Sequence, residues 1–492
     1  MPQPVLMENA GRSAALVLTR LFTPRRVVGL VGGGNNGGDA LVALRSLATW
    51  GCDVACVLVA DRSADDPLLH GWPVEVFSDE EVDEAGWAAI WDGTDVVIDG
   101  VLGTGVRGAP RARQARVIER LNGVGVPVLA LDVPSGIDAS TGAVPGAAVR
   151  ADVTVSFGAP KLGALLHPAR PLAGRHVTVE IGFPPMGADD ASAALVTPAW
   201  AQRRLPRRST DTHKNRAGRL LVVGGSVGMA GAAVLAARSA FRAGAGLVRV
   251  CTVEANREIV QAALPEAMYV GTEGGALEEA IATSDAVAAG PGLGRDAGAA
   301  RLLSRIVATG DRPLVLDADA LTLASEGAID LAAVSARRPV LITPHPGEMA
   351  RLLGNRDEAG GSGPGHDRVA TLQRAVERFG CTVLFKGAPS LVAGGGGPML
   401  VDTQSSSDLA VAGIGDTLTG VCGTMMAQGI EPATAGALGL YLSGRAAVLA
   451  DRGVGLTPSD VAERLPDVFT EAGPGWTDLD LPFVLFDADP AR

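Results

Sequence analysis

Between Val27 and Asp39 the sequence reads VVGLVGGGNNGGD, a G-x-G-x-x-G (Gly32, Gly34, Gly37) straight after an apolar run. Such a turn binds a dinucleotide pyrophosphate when bare backbone opens a helix and an acid about 20 residues on takes the ribose hydroxyl. Asp61 ends the next apolar run, near that place. Asn35, Asn36 and Asp39 argue for different chemistry, since amide oxygens and a carboxylate suit a hard cation or a polar substrate better than a bare phosphate. Asp99 closes the run VVIDG ahead of Gly103, Thr104, Gly105, Val106, Arg107, Gly108 and Ala109, a flexible turn friendly to anions. Asp132 opens DVPSGID at the end of another run. Asn36, Asp99 and Ser135 thus fall at C-terminal ends of apolar runs and can converge on one crevice, where Asp132 is suited to acid–base work.

The second half carries its own constellation. Gly413-Ile414-Gly415-Asp416 leads into the helical pattern TLTGVCGTMMAQG. Backbone N–H groups and a positive helix end there suit an anion, with a carboxylate alongside. That is an arrangement for phosphoryl transfer, Asp416 accepting the proton of an attacking hydroxyl. Lys386 leads Gly387-Ala388-Pro389-Ser390 off a strand end, an ammonium at the sheet edge for a nucleotide phosphate, and His345 is pinned between two prolines in TPHPGE. Asp317 and Asp319 in DADAL could order Mg²⁺ waters or cap the next helix, with capping favoured for at least one.

The elements that position these residues follow from composition and pattern. At 492 residues the chain predicts two large domains. Its 65 glycines, 47% hydrophobic content and 4% aromatics predict an α/β architecture with many tight turns. Continuous apolar runs separated by helical patterns predict parallel sheets: VVGLVG, VACVLVA, VVIDGVLG, VPVLALDVPSG, ADVTVSFG and HVTVEIGFP, then RLLVVGGS, GLVRVCTV, AVAAGPGLG, PLVLDADAL, PVLITPHPGE and TVLFKGAPSLVAG. A long small-residue helix is expected after AGIGD, through Leu449. The Pro-, Gly- and charge-rich stretch 184–208 reads as a connection, giving domains at 1–187 and 188–475 and a tail at 476–492. AGGSGPGHD (359–367) reads as a surface insertion.

A net charge of −12 argues against nucleic acid as a partner, and the short cluster Arg203, Arg204, Arg207 and Arg208 reads as a solvated linker face. Five scattered cysteines lack the paired spacing of a zinc site and predict a reduced, cytoplasmic protein. No apolar run approaches the roughly 18 to 20 residues of a membrane span, so no membrane partner is expected. Of 42 basic residues only Lys161, Lys214 and Lys386 are lysine. Against such an arginine background, a lysine marks a place where a compact ammonium is not exchangeable for a planar guanidinium.

MENAG (Met7 to Gly11), GGGNNGGDAL, DGVLGTGVRG and LDVPSGIDASTG together resemble the N-terminal epimerase domain of the NAD(P)H-hydrate repair enzymes over most of residues 5–184. HKNRAGRLLVVGGS, GMAGAAV, GAGLVRV, GPGLG, DADAL, TPHPGE, KGAPS and AGIGD resemble the ribokinase-like dehydratase domain of the same family over roughly 205–470. The resemblance implies a Rossmann-like parallel-sheet domain followed by a ribokinase-like α/β domain. For the first it implies K⁺ at Asn36, Asp99 and Ser135, and substrate contacts from Asn35, Asn36, Gly37, Gly38, Asp39, from Gly103 through Ala109, and from Asp132, which assists proton transfer. For the second it implies that Ala232, Gly294, His345 and Asp416 contact hydrated NADH or NADPH. Lys386, Gly387, Ala388, Pro389, Ser390 and Gly415 would bind ADP or ATP, with Mg²⁺ on the phosphates. The chain departs from the family at Ile414, where many relatives have a small hydroxyl residue, at Asn215, where many have Gly, and in starting almost at MENAG, without the upstream helix such domains often carry.

The implied activity is epimerisation of the R and S hydrates followed by nucleotide-dependent dehydration of the S form, releasing phosphate, and AMP if ADP is used. A homo-oligomer is expected. The competing readings are a ribokinase-like vitamin-precursor kinase fused to a binding domain, and a non-catalytic role for the N-terminal half.

Overall fold

A computed structural model describes the chain except residues 64, 106, 185–190, 207–216, 355–366, 405, 472–478, 480 and 489–492. Val106, the HKN of HKNRAG (213–215) and most of the 359–367 insertion therefore lie outside the described residues. The chain forms two compact units, Met1–Met186 with Trp476–Arg492, and Gly187–Gly475.

In the first unit, β1 (Arg26–Val31), β2 (Asp53–Leu58), β3 (Glu75–Ser78), β4 (Val96–Gly100), β5 (Val128–Leu131), β6 (Val153–Phe157) and β7 (Arg175–Val179) are all parallel, in the order 7-6-5-4-1-2-3. Their continuous apolar sequences fit burial on both faces. Residues 476–492, read above as a tail, supply an eighth strand: Val484–Ala488 pairs antiparallel with β7, and Arg175 binds Asp487 through two nitrogens at 2.8 and 2.6 Å. The strand order reverses between β1 and β4, which run parallel, and this makes the C-terminal ends of those two strands the crevice of an open α/β sheet.

The stretch NNGGD is not a loop. It forms the first turns of α2 (Asn35–Thr49). A Cβ on Gly37 would lie 1.9 Å from the Gly32 carbonyl oxygen, so glycine is what lets the helix begin against the strand end. MENAG lies within α1 (Gln3–Phe22), where a Cβ on Gly11 would lie 2.5 Å from the Asp39 carbonyl oxygen and 2.5 Å from Cβ of Val42. Glycine here brings α1 onto α2.

The second unit is a ten-stranded sheet in the order 11-10-9-12-13-14-15-16-17-8. Its strands are β8 (Ala193–Val196), β9 (Arg219–Val223), β10 (Leu247–Thr252), β11 (Met268–Gly271), β12 (Ala286–Ala289), β13 (Leu314–Leu316), β14 (Val340–Ile342), β15 (Thr382–Phe385), β16 (Leu391–Ala393) and β17 (Met399–Asp402). The block β9 to β15 is parallel, whereas β16 runs antiparallel to both β15 and β17. TVLFKGAPSLVAG is therefore two strands around a turn. The single long helix expected after AGIGD is likewise two, Ile414–Ala427 and Pro432–Ala450. Gly429, at φ 85°, ends the first, and the Glu431 carboxylate caps the second by accepting from the N–H groups of Ala433 and Thr434. Contrary to the reading of the apolar runs, Pro432–Ala450 is long and apolar enough to cross a membrane, but 72% of its apolar window is buried inside the fold.

Helix Ile414–Ala427 packs on Ala230–Arg242 at Gly420, where a Cβ would lie 1.9 Å from the Ala236 carbonyl oxygen. Gly420→Ala is expected to cost about 1–3 kcal/mol through forced separation of the helices. A thermal unfolding midpoint equal to that of the parent would contradict this contact.

Candidate active sites

In the first unit a cavity of about 1040 Å³ opens at the C-terminal ends of β1 and β4. Asn35, Asn36, Asp39, Gly103, Thr104, Gly105, Arg107, Ala109 and Asp132 line it, together with Met7 from α1, Phe157 and Lys161. Gly37 and Gly38 do not line it; they face the Gly32 carbonyl and the Met7 side chain, and so serve helix packing. Gly108, at φ 82°, shapes the turn from outside the lining.

Asp99 and Ser135 also stand outside the lining, wholly buried beneath the turn after β4. The Ser135 hydroxyl donates to Asp99 Oδ1 at 2.6 Å, the Ser135 N–H donates to Asp99 Oδ2 at 2.8 Å, and the Leu102 N–H donates to the Ser135 hydroxyl at 2.8 Å. Asn36 Nδ2 donates to the Leu102 carbonyl at 2.8 Å, leaving its Oδ1 buried without a hydrogen-bond partner. Burial pushes Asp99 up to about 6, against the pull of its Ser135 and Val101 hydrogen bonds. An unpartnered amide oxygen, a buried carboxylate and a hydroxyl form an oxygen donor set of the kind a hard cation takes.

The ribose acid of a dinucleotide site is missing in geometry. Asp61 is fully exposed and pairs with Arg113, while Arg62 donates to the carbonyls of Gly32 and Gly34. Lys161 was given no role by its sequence context. Its ammonium lies 2.7 Å from Asp132 Oδ1, and its scarcity as one of three lysines was the available signal.

In the second unit the centre is Asp317, at the end of β13. Lys386 Nζ donates to its Oδ1 at 2.7 Å and the Thr419 hydroxyl to its Oδ2 at 2.8 Å. Lys386 is thus engaged inward with carboxylates, not held free at the sheet edge. Burial alone would lower its pKa, but Asp317, Glu348 and Asp416 raise it. Ala318, at φ 50°, is a strained turn that sends Asp317 inward and Asp319 to the Gly294 N–H, 2.9 Å away. Neither aspartate caps the following helix, so the capping reading fails.

His345 caps helix Pro346–Leu353: its Nδ1 accepts from the N–H groups of Gly347 and Glu348, while Glu348 accepts from the His345 N–H at 2.9 Å. With Nδ1 accepting, the ring proton sits on Nε2. Burial, with the positive charge of Lys386, lowers the His345 pKa. Glu348, 4.0 Å from Lys386, is raised to about 7 by burial, and Asp416, in the first turn of Ile414–Ala427, to about 6 by burial and then by Asp317. A Cβ on Gly415 would stand 3.5 Å from both Asp317 Oδ2 and Lys386 Nζ. Ala232 borders Gly292, two residues before Gly294.

The turn Lys386 to Ser390 is held from behind by Arg368, a residue no motif singled out. Its guanidinium donates to the carbonyls of Phe385, Lys386 and Pro389 at 3.3, 3.1 and 3.2 Å and lies over the Phe385 ring. Ser390 closes the turn on Gly387 at 2.9 Å.

Each unit therefore places a lysine-paired aspartate beside further buried carboxyls at a sheet crevice, which defines a two-domain α/β enzyme, Rossmann-like and then ribokinase-like. A family model described as YjeF-related protein N-terminus matches residues 3–163, and one described as NAD(P)H-hydrate dehydratase matches residues 220–467. The bifunctional NAD(P)H-hydrate repair enzyme of Salinibacter ruber is 38% identical over 482 residues, covering 91% of this chain and 88% of its own. That of Moorella thermoacetica is 34% identical over 499 residues, covering 95% and 92%. A solved ribokinase-like superfamily protein of Enterococcus faecalis superposes at a TM-score of 0.51 and 26% identity, over 59% of this chain and 98% of its own. The chain belongs to the bifunctional NAD(P)H-hydrate repair enzyme family.

Arg368→Met would leave three carbonyls without their donor. Faster amide hydrogen exchange across residues 386–390 is expected, and unchanged exchange there would show that Arg368 does not hold the turn.

Proposed function

We propose that the first unit interconverts the R and S hydrates of NADH and NADPH through Asp132, and that the second uses ADP or ATP to dehydrate the S form through Asp416. The observation that carries the reading is that both family matches fall on one chain, each over a carboxylate site at a sheet crevice.

In the second unit Asp416 takes the proton of the ring hydroxyl as that oxygen attacks the terminal phosphoryl group, breaking its phosphoanhydride bond and releasing AMP from ADP or ADP from ATP. The backbone N–H groups of Gly413, Gly415 and Asp416 face the charge that gathers on the phosphoryl oxygens, while the Ile414 N–H is taken by the Val411 carbonyl at 3.3 Å. Phosphate then leaves with the C–O bond, pushed by the ring nitrogen, and loss of the adjacent C–H proton restores the ring double bond. Lys386, Gly387, Ala388, Pro389, Ser390 and Gly415 hold the nucleotide, and Ala232, Gly294 and His345 the hydrate. No group of three or more acidic, His or Cys side chains is set to hold a metal ion among the described residues. Mg²⁺ held by the nucleotide phosphates would neutralise part of their charge.

In the first unit Asn36, Asp99 and Ser135 fit K⁺, through the orphaned Asn36 oxygen and a buried carboxylate that pairs with no cation among the described residues. Bound there, K⁺ would supply the charge that balances Asp99 and would fix the turns carrying Leu102 and Ser135.

Purified R and S hydrates, offered with ADP and ATP separately, test the reading: nucleotide-dependent recovery of NADH absorbance is expected, and no recovery with either nucleotide, alongside phosphorylation of an added vitamin precursor to a stable ester, would overturn it. Because the raised Asp416 must be a carboxylate to accept a proton, dehydration is expected to fall as pH drops through about 6. Asp416→Asn should lose about 10²- to 10⁴-fold at neutral pH, and a rate within a few-fold of the parent would remove Asp416 from the chemistry. Potassium should raise the unfolding midpoint of the parent but not of Asp99→Asn, and equal shifts in both would place the ion elsewhere.

A further inference from the structure

Inverting a carbon that carries both a hydroxyl and a ring nitrogen takes two proton movements. One lets the hydroxyl leave, and the other lets water return on the opposite face. A single carboxylate beside the ring does half of this.

The cavity of the first unit holds two carboxyls in different circumstances. Asp132, at φ 65° after β5, receives Lys161 at 2.7 Å on Oδ1 and the Phe157 N–H at 3.4 Å on the same oxygen. Lys161 spends its remaining N–H groups on the carbonyls of Phe157 (2.8 Å) and Ala159 (3.0 Å). It therefore offers the cavity no donor, and its effect on a substrate runs through Asp132. Asp39 comes from another element, the second turn of α2, walled by α1 where Gly11 meets its carbonyl. Its carboxyl lines the same cavity but makes no hydrogen bond or ion pair to any described residue, and it is 9% exposed. Burial, with the Asp132 charge nearby, raises it to about 7, in keeping with a protonated acid.

We propose that Asp39 is the second catalytic group of the epimerase, the acid to Asp132's base, with Lys161 as the positioning residue that fixes which carboxyl is which. The proposal rests on the reading of this unit as the epimerase. Asp39 gives its proton to the ring hydroxyl; the C–O bond breaks as the nitrogen lone pair forms a C=N bond, and water leaves. A second water attacks the same carbon from the opposite face, the C=N pair returns to nitrogen, and the incoming water's proton passes to Asp132. The hydrate is inverted, one water has left and one has entered, and one proton has moved from Asp39 to Asp132, returning through solvent in the open cavity. In the reverse direction the two carboxyls exchange roles.

The full-length enzyme is incubated in H₂¹⁸O with R hydrate and no nucleotide, so that the second unit is silent, and the S hydrate is isolated and weighed against an enzyme-free control. One solvent oxygen per inversion is expected. An S hydrate that keeps the original oxygen overturns the step. Asp39→Asn is expected to slow inversion about 100-fold or more with hydrate binding changed less than threefold. Asp39→Glu, which keeps a carboxyl, should recover part of the rate. If Asn and Glu variants that bind hydrate are equally slow, or if Asp39→Asn inverts within threefold of the parent, Asp39 is not the acid. Lys161→Met should slow inversion and Lys161→Arg restore part of it; equal loss in both, with binding kept, overturns the positioning role. Failure of the parent itself to interconvert R and S would instead refute the epimerase reading.

Discussion

A lysine ammonium lodged 2.7 Å from a strand-end aspartate is the contact on which both sites depend, Lys161 with Asp132 in one unit and Lys386 with Asp317 in the other. Each crevice gathers carboxyls in surroundings that resist charge, and desolvating such ions costs several kcal/mol apiece unless a cation is close. A lysine serves because it is a compact point charge with three donors. Lys161 divides them between Asp132 and two carbonyls, and Lys386 sits among Asp317, Glu348 and Asp416. With the ammonium closest to one carboxylate, the burial of the neighbours is at most partly offset. Asp39 and Glu348 rise to about 7 and Asp416 to about 6, the range in which a carboxyl exchanges protons near neutrality.

The sheets supply the placement. In both units the strand order reverses within the sheet, between β1 and β4 and between β9 and β12, and the side chains at issue stand beyond the C-terminal ends of parallel strands. Glycines set how closely the covering helices approach: Gly37 seats α2 on the end of β1, and Gly420 seats Ile414–Ala427 on its neighbour. That helix presents Asp416 in its first turn and Thr419 against Asp317. Packing and chemistry are thus carried by one short segment.

Much of this was legible because apolar runs mark parallel strands and polar residues at their ends mark the crevice. Asn36, Asp99 and Ser135 could be grouped on that ground alone, and the structure brings them around Leu102. Lys161 could not be grouped with Asp132, since the pair spans 29 positions and closes only when β6 pairs with β5. Arg368 was equally silent, because its three carbonyl partners are chosen by a tertiary turn. The strands β3, β8, β11 and β17 and the C-terminal strand are only four or five residues long, too short for a run to stand out, and their pairing depends on neighbours already in place. The glycines of NNGGD read as a turn, but packing against the end of β1 makes the stretch a helix start.

The central claim is that two separate carboxylate sites act in succession on one damaged cofactor. The direct measurement is complementation: Asp132→Asn and Asp416→Asn proteins are mixed in equal amounts with pure R hydrate, K⁺ and ADP, and NADH is followed by absorbance. The account expects the mixture to form NADH at about half the rate of the same total amount of parent enzyme, while Asp416→Asn alone yields only mixed hydrates and Asp132→Asn alone waits on spontaneous inversion. A mixture no faster than Asp132→Asn by itself would contradict it.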